Sequence, residues 1–527
     1  MAGRRVRDKS WRLTLRGILR RGPSAPLLVG VATALVMLAV FGSLGQSPAF
    51  HDEAAYLLQA KIFASGRWTA DARPMPEFFQ EIHIFDTPAT AARYWPGHAL
   101  VLIPGVMLGL PALMPVLLAG LMGALMYALA RRTAGSIAAV LAWLVWISAP
   151  DTLYYGPTYF SELTTGPLLL LGWWALLEYH KGCGRWWLVV LAACMAWGAI
   201  TRPLTMLAYV IPIAVVVLRD VGMRRRLRDL VLPVAVGLAC LAIVPLWGAR
   251  TLGNWRTVPY SEYARLYLPV DRPGFTTNTS PPVRPMPWDL AEVSQKLAYY
   301  HRLHTPATLH RILGQRVWDI GKGMWGGSRL VLLPFAALSV LAWSAGATLA
   351  TISAVTLVLA YLVFPYDRGW TVYYFELFPV LAFLTGVGMA VAVRWVVRRF
   401  QSSSLPPLLV RRGLMAMGVI YGAGGLLHLI GEVGLARAKH IFLRKEQVAF
   451  RKTVAPIGDP KVVVFIKYAP NHSPHLSLID NGPDLERVPI WEVYDRGPDN
   501  ARLMRRFPDR VPYLYDEEAA SIVRLSP

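Results

Sequence analysis

Long apolar runs dominate this chain and limit the folds that it can adopt. Of its 527 residues, 55% are hydrophobic and only 16% are charged, whereas a soluble domain typically carries about 25% charged residues. The runs extend over roughly 15 to 22 residues, enough for a helix to cross a hydrocarbon core of about 30 Å. The sequence therefore predicts an all-α polytopic membrane protein. The predicted spans lie near 26–45, 97–131, 134–149, 163–180, 186–200, 204–218, 229–248, 328–345, 348–365, 371–393 and 409–430.

The number of spans depends on how the segment 97–131 crosses the membrane. It contains "LGLPALMP", whose prolines break a helix. The loops 130–133, 180–185, 219–229 and 394–401 are basic, and basic loops between spans stay in the cytoplasm. They all fall on one side only if 97–131 crosses once and adds a kinked or half-inserted piece. We therefore predict about 11 to 13 transmembrane helices.

The basic character of the chain fits the same picture. A net charge of +22 would suggest nucleic-acid binding in a soluble protein, but here the Lys and Arg residues cluster between spans, where anionic cytoplasmic lipids attract them. The leader "MAGRRVRDKSWRLTLRGILRRG" precedes a run too long for a signal peptide, and "SLGQSPAF" lacks an A-x-A cleavage site. We expect an uncleaved first span, a cytoplasmic N-terminus, and membrane lipids rather than nucleic acid as partners.

Four segments then fall on the extracytoplasmic side: the first loop 46–96, the turn 148–162, the long loop 249–327 and the tail 436–527. The tail differs in character from the rest. Its runs "KVVVFIKY", "VPIWEVYD" and "VPYLYD" are typical of β-strands, and "DNARLMRRF" is typical of a short helix. We therefore predict a transmembrane domain over residues 1–435 and a small extracytoplasmic α/β domain over 436–527.

The first loop opens with "HDEAAYLLQAKIFASGRW", in which His51, Asp52 and Glu53 are adjacent. The apolar residues that follow predict a short amphipathic helix that ends before Gly66. Acids favour the first turn of a helix, so the two acids either cap this helix or serve a site. The two roles are compatible, because a capping acid can still present an oxygen to a cavity.

Further motifs follow in a fixed order. "YWPGHALVLIPG" (94–105) opens the next span with a Pro-Gly pair, "AITRPLTML" (199–207) contains an Arg-Pro element, and "YYFELFPVLAFLTG" (373–386) combines tyrosines with a proline. Together with a long first span and the Asp-Glu pair, this order resembles the GT-C superfamily of polyprenyl-phosphate-sugar-dependent glycosyltransferases. Its relatives include the protein O-mannosyltransferases and the lipid A aminoarabinose transferase. The resemblance covers nearly the whole chain, and the tail looks like the extracytoplasmic end of bacterial members.

This resemblance implies a function. A sugar would be transferred with inversion from a polyprenyl-phosphate donor to an acceptor hydroxyl on the outer side of the bacterial inner membrane. The family pattern gives the role of general base to the Asp of the pair, which maps onto Asp52. Glu53 would be a catalytic neighbour that orients the site or acts on Asp52 through like-charge repulsion. His51 would assist, although a lone histidine at an interface is more often a hydrogen-bonded structural residue. No motif matches the lipid A-binding loops of the aminoarabinose transferases, so the acceptor (lipid, glycan or protein) does not carry over.

The leaving phosphate needs cationic partners at the membrane surface. Arg202 is the leading candidate because it follows an apolar run on the outer side, although an arginine at a span end can also simply snorkel. Tyr94 and His98 are candidate substrate-binding residues through the resemblance of their motif. Weaker candidates, for which a plain surface position is the default, are Lys61, Arg73, Arg93 and Arg329.

Further candidates lie in two outer turns. Glu162 is favoured over Asp151 as a second active-site acid, since a charge at the mouth of a span is rare unless it is used. Either acid can position the acceptor or join an Mg²⁺ or Mn²⁺ site, but no ligand cluster requires a metal, so metal dependence stays open. Tyr373, Tyr374 and Glu376 are candidates for sugar contacts, and an interfacial aromatic belt explains the two tyrosines equally well.

Two other classes of membrane protein are considered. A secondary transporter or glycan flippase would show an internal repeat and charges near the bilayer midplane, whereas this chain has no repeat and its spans are almost free of charge. A lipid-linked-sugar polymerase or ligase would share the donor but would depend on an outer loop rich in Arg and His. The sequence therefore favours a glycosyltransferase.

Overall fold

The chain is built almost entirely from helices. The structure, a computed structural model, describes residues 24–223, 227–286, 288–366, 368–401 and 407–526, so the basic leader lies outside the described residues. The helices are α1 Ser24–Phe41, α2 His51–Ala64, α3 Pro76–Phe79, α4 Pro96–Met107, α5 Leu113–Ala134, α6 Ser136–Ile147, α7 Pro150–Tyr155, α8 Glu162–His180, α9 Trp186–Ala199, α10 Pro203–Met223, α11 Val231–Leu241, α12 Ile243–Leu252, α13 Pro259–Tyr267, α14 Trp288–Leu303, α15 Leu309–Trp325, α16 Leu333–Leu338, α17 Ala345–Ala360, α18 Leu377–Gln401, α19 Pro407–Leu443, α20 Lys445–Val454 and α21 Asn500–Arg506.

Every predicted span is helical, which confirms the all-α, multi-pass prediction. Segment 97–131 breaks into α4 and α5, as its prolines predict. By length and composition, seven helical segments of the described chain are able to cross a membrane, and one of them, Leu227–Leu252, comprises both α11 and α12. This number is lower than 11 to 13 because α6 and α9 have only 12 and 14 residues, and α8, with 19 residues, is too polar to be among the seven. In addition, run 328–345 forms the second half of a helix pair that is bent by 102°.

Helices α1 and α5 pack closely because glycines face each other across their contact. A Cβ added to Gly120 would lie 2.9 Å from the carbonyl oxygen of Gly30, and a Cβ added to Gly30 would lie 3.0 Å from that of Gly120. One turn further, Gly123 lies against Thr33. Small residues let the backbones of membrane helices approach and gain van der Waals contact. The first span is thereby fixed to the bundle just before the loop that carries Asp52.

Helix α2 differs from its sequence-based prediction. An amphipathic helix on the surface was expected, but eleven of its fourteen residues are buried. Its polar Gln59 is also inside, where it donates to the carbonyl of Trp68 (3.0 Å) and accepts from the amide of Ala92 (2.9 Å). The prediction of a surface helix was wrong because polar side chains that suggested a solvent-exposed face form hydrogen bonds within the protein.

The tail forms the predicted small α/β unit. Strands β3 Val462–Lys467, β4 Ile490–Tyr494, β5 Val511–Asp516 and β6 Ser521–Arg524 are ordered β4-β3-β5-β6. The first three are parallel, and β6, which the sequence did not indicate, pairs antiparallel with β5. A two-stranded hairpin, β1 Ile84–Phe85 and β2 Ala91–Ala92, lies in the first loop.

The first loop and the tail share a hydrophobic core. Phe78 packs against Phe465 and Phe79 against Trp491, with ring centroids 6.3 and 5.2 Å apart. The opposite face of the sheet is covered by α20 through Phe450. Helix α19 continues to Leu443, so the predicted domain boundary at 436 falls inside a helix. The tail is therefore packed onto the segment that carries Asp52.

We expect the α1–α5 contact to be intolerant of larger side chains. The variant Gly120→Leu should destabilise the protein by about 1–3 kcal/mol or more, because the obstacle is backbone that cannot rotate away. Thermal unfolding of the purified protein in detergent, followed by tryptophan fluorescence, measures this effect. The matched control is Gly424→Leu in α19, where an added Cβ meets nothing within 4 Å. Equal melting temperatures for both variants would contradict the packing.

Candidate active site

A cavity of about 760 Å³ lies where the first loop, the long loop and the tail meet the ends of α8 and α10. Tyr260 lines it from the long loop, and His475 lines it from the tail. Of the residues predicted from the sequence, those that line this cavity are His51, Asp52, Arg93, Tyr94, Glu162, Arg202 and Tyr373. Seven candidates from distant parts of the chain therefore converge on one space.

Asp52 is held in the cavity wall by its neighbours. The hydroxyl of Tyr94 donates to its Oδ1, while its Oδ2 lies 3.8 Å from Nε2 of His83. Burial and the nearby charge of Arg93 hold the pKa of His83 well below its usual range, so this ring is neutral at physiological pH. Burial and the Asp52 charge raise the pKa of Tyr94, so its hydroxyl keeps the proton that it donates. About 30% of the Asp52 side chain remains exposed, which leaves it accessible from the cavity.

Glu53, in contrast, has no exposed surface. Its Oε2 accepts hydrogen bonds from the amides of Ala49 (2.6 Å) and Phe50 (3.1 Å), and its Oε1 accepts one from the amide of Tyr159 (2.9 Å). The bond from Phe50, the N-cap residue of α2, is that of a capping box, and Ala49 adds a second amide one residue earlier. The third ties the start of α2 to the segment before α8. These contacts fix the first turn of α2 and so orient Asp52, and a catalytic part for Glu53 stays a prediction.

Arg202 lies at the centre of a buried ionic cluster below the cavity. Its guanidinium pairs with Glu162 at 2.5 Å and with Glu376 at 3.2 Å. It also donates to the hydroxyl of Tyr361 at 2.7 Å, and Thr165 donates to Glu376 at 2.5 Å. Two carboxylates therefore share one guanidinium. Arg202 lines the cavity, but its charge is already compensated within the protein.

Arg93 is engaged in a similar way. It pairs with Asp271 of the long loop at 2.8 Å, and both side chains are nearly buried. Its guanidinium lies 4.5 Å from the ring centroid of Tyr260 and 5.2 Å from that of Tyr263, which adds cation–π attraction. This contact joins the first loop to the long loop.

Two further cations line the cavity, Arg272 and Lys296 of the long loop. Lys296 pairs with Glu292 one helical turn away, at an exposed position. Within the part of the chain that the structure describes, Arg272 forms no ion pair, and its side chain is exposed. Arg272 is therefore the lining cation whose charge is most available to a ligand.

The remaining predicted residues lie outside this cavity. Lys61 pairs with Asp480 of the tail at 3.1 Å. Arg329 donates to the carbonyl of Ser148 at 2.8 Å, at the end of α6. Asp151 accepts a hydrogen bond from Thr371.

Three others also have structural surroundings. His98 is buried between the hydroxyl of Thr164 and the carbonyl of Tyr159, each at 2.8 Å. Arg73 is buried and donates to the carbonyl of Gly482. Tyr374 lines a separate, neighbouring cavity.

Several lining residues were missed from the sequence. They are His83, Tyr260, Arg272, Lys296, Tyr361 and His475. Most of them lie in loops where no periodicity or motif distinguishes them from ordinary surface residues. No group of three or more His, Cys, Asp or Glu side chains suited to hold a metal ion occurs among the described residues.

Comparison with known proteins places this arrangement in a known architecture. No family model and no curated protein sequence matches the chain. The structure of ArnT from Cupriavidus metallidurans bound to undecaprenyl phosphate matches with a TM-score of 0.54 and 18% identity, over 94% of this chain and 91% of that one. Its apo structure matches with a TM-score of 0.53 and 18% identity, over 93% of this chain and 89% of that one. The chain therefore has the fold of ArnT over nearly its whole length.

Proposed function

We propose that this protein is an inverting integral-membrane glycosyltransferase. It moves a sugar from a polyprenyl-phosphate donor to an extracytoplasmic acceptor hydroxyl, with Asp52 as general base. The observation that carries the proposal is the position of Asp52, which lies in the wall of a 760 Å³ cavity with one oxygen fixed by Tyr94. A carboxylate that is fixed, accessible and next to a neutral histidine is suited to accept a proton.

The proposed reaction is a single displacement at the anomeric carbon of the sugar. The acceptor oxygen attacks the anomeric carbon and loses its proton to Asp52. The bond between that carbon and the phosphate oxygen breaks, and its electron pair leaves with the polyprenyl phosphate. Because the leaving group is already a stable anion, it needs no proton. One carboxylate therefore suffices, and attack opposite the leaving group inverts the anomeric configuration.

Some cations of the cavity are paired within the protein, and others can bind an anionic ligand. Arg93 and Arg202 are neutralised by buried carboxylates, so they add little net charge for an anionic ligand. Arg272 remains to bind the donor phosphate, and Lys296, which pairs with Glu292 at an exposed position, can contribute to a smaller extent. We therefore assign the phosphate to the long loop rather than to Arg202, which the sequence had favoured.

The fold supports a lipid-linked donor. ArnT, which has the same fold, is described with undecaprenyl phosphate bound. We carry this over as a proposal: the donor's polyprenyl tail remains in the bilayer while its phosphate and sugar enter the cavity. The first loop, the long loop and the tail would then lie outside the inner membrane of a bacterium, as the distribution of basic loops favours.

The first test of this function is the variant Asp52→Asn. We expect sugar transfer to fall by about 10²–10⁴-fold, because the amide retains the shape but cannot accept the proton. Radiolabelled polyprenyl-phosphate sugars incubated with native membranes give the rate and identify the labelled product. The control is Asp71→Asn, an exposed acid of the same loop, which should transfer at the wild-type rate. Full activity of Asp52→Asn would exclude Asp52 as the base.

A second test concerns the donor phosphate. The variant Arg272→Ala should weaken binding of undecaprenyl phosphate by about 10-fold to 100-fold, since hydrogen bonds to charged groups contribute about 1.5–3 kcal/mol. Binding to the purified protein in nanodiscs can be followed by the rise in melting temperature with added lipid. Arg256→Ala provides the control, because Arg256 is exposed in the same loop but does not line the cavity. If both variants bind as the wild type does, the phosphate lies elsewhere.

A further inference from the structure

A second cavity, of about 280 Å³, adjoins the first. Helices α14 and α15 and the turn before α18 form its walls. The two cavities share four lining residues, Tyr300, Pro365, Tyr366 and Trp370. A molecule that occupies the first cavity therefore has a neighbouring space into which it can extend.

We propose that this second cavity binds a sugar ring of a neutral glycan. The cavity's ligand is inferred from its own walls. The conclusion that this glycan is the acceptor rests on the transferase function proposed above. In that case, the acceptor is an extracytoplasmic glycan chain: its terminal hydroxyl lies near Asp52 and an inner ring lies in the second cavity.

The walls are aromatic rather than aliphatic. Besides Pro365, the aliphatic side chains among the described lining residues are Leu303 and Ile312. The aromatic residues that line the cavity are Tyr299, Tyr300, His304, Tyr366, Trp370 and Tyr374. Flat faces with polar edges suit sugar rings, which offer apolar C–H faces and hydroxyl rims, whereas a lipid chain favours aliphatic walls.

The charges of the cavity favour a neutral ligand. Arg316 is only 7% exposed, and its guanidinium already donates to the carbonyls of Tyr361 and Phe364. It also lies over the ring of Tyr366, 4.1 Å from the centroid. Asp319 lies 3.7 Å from Arg368, so the second cation has a carboxylate beside it. A phosphate would meet this carboxylate, while hydroxyl groups can both donate to it and accept from Arg368.

The two cavities are connected through residues close to Asp52. The ring of Trp370 lies 5.2 Å from that of His475, and the carbonyl of His475 accepts from the amide of His51 at 3.3 Å. On the other side, Tyr366 packs against Tyr373, with centroids 4.6 Å apart. Trp370 therefore lies between the second cavity and the segment that carries the proposed base.

Direct binding of free saccharides tests the inference without any donor. Neutral di- and trisaccharides of glucose, galactose, mannose and N-acetylglucosamine are titrated into the full-length protein in nanodiscs and followed by saturation-transfer difference NMR. We expect one or more to bind the wild type. We also expect the variant Arg368→Ala to bind the saccharide at least about tenfold more weakly than the wild type, because it loses a charged hydrogen-bond donor. A second variant, Tyr299→Ala, removes part of an aromatic wall and should weaken binding of the same saccharide.

The control variant is Lys322→Ala. Lys322 also pairs with Asp319, at 3.3 Å, but does not line the cavity, so saccharide binding should not change. Three results would overturn the inference: no saccharide binds the wild type, Arg368→Ala and Lys322→Ala lose binding equally, or glucose 1-phosphate binds more tightly than the neutral sugars.

Donor consumption, measured separately, distinguishes this inference from the proposed function. If sugar is transferred but no saccharide binds, the result supports the transferase function and contradicts the glycan site. If saccharide binding depends on Arg368 but no donor is consumed, the result supports the glycan site and contradicts the transferase function.

Discussion

The geometry of the site depends on the buried carboxylate of Glu53. A buried charge is costly unless hydrogen bonds compensate it, and here three backbone amides do so, from Ala49, Phe50 and Tyr159. These bonds fix the first turn of α2 relative to α8. Adjacent residues on a helix point about 100° apart, so anchoring Glu53 inward turns Asp52 toward the cavity. The two acids of the pair therefore have different tasks, one holding the helix and the other lining the cavity.

The same rule of charge compensation explains which arginines are available. Below the cavity, Arg202 is shared by Glu162 and Glu376, so the starts of α8, α10 and α18 are joined at one point without a free positive charge. Arg93 is likewise matched by Asp271. An anion that enters the cavity therefore gains little from either, since their charges are already paired. Arg272 is exposed beside one of these pairs, which makes the long loop the natural place for a phosphate.

Much of the fold follows from the sequence, but only part of the site does. Apolar runs and prolines predicted the membrane helices, including the break between α4 and α5, and strand-like runs predicted β3, β4 and β5 of the tail but not β6. Asp52 and Arg202 were predicted because each lies in a motif that follows an apolar run. The partners of Arg202 decide its state, however, and Glu376 is 174 residues further along the chain. His83, Tyr260 and His475 reach the cavity only through tertiary packing, which no local pattern encodes.

The tail is part of the cavity rather than an appendage. The amide of Ser477 donates to the carbonyl of Ala49, and Phe50, two residues before Asp52, forms a β-bridge with Leu476. Lys61 then pairs with Asp480, at the other end of α2. Both ends of this helix are therefore held by one segment of the tail, which also brings His475 to the cavity wall. Because Ala49 and His51 form backbone hydrogen bonds with the tail immediately before Asp52, and Lys61 forms an ion pair with it after Asp52, displacement of the tail would shift α2 and Asp52 with it.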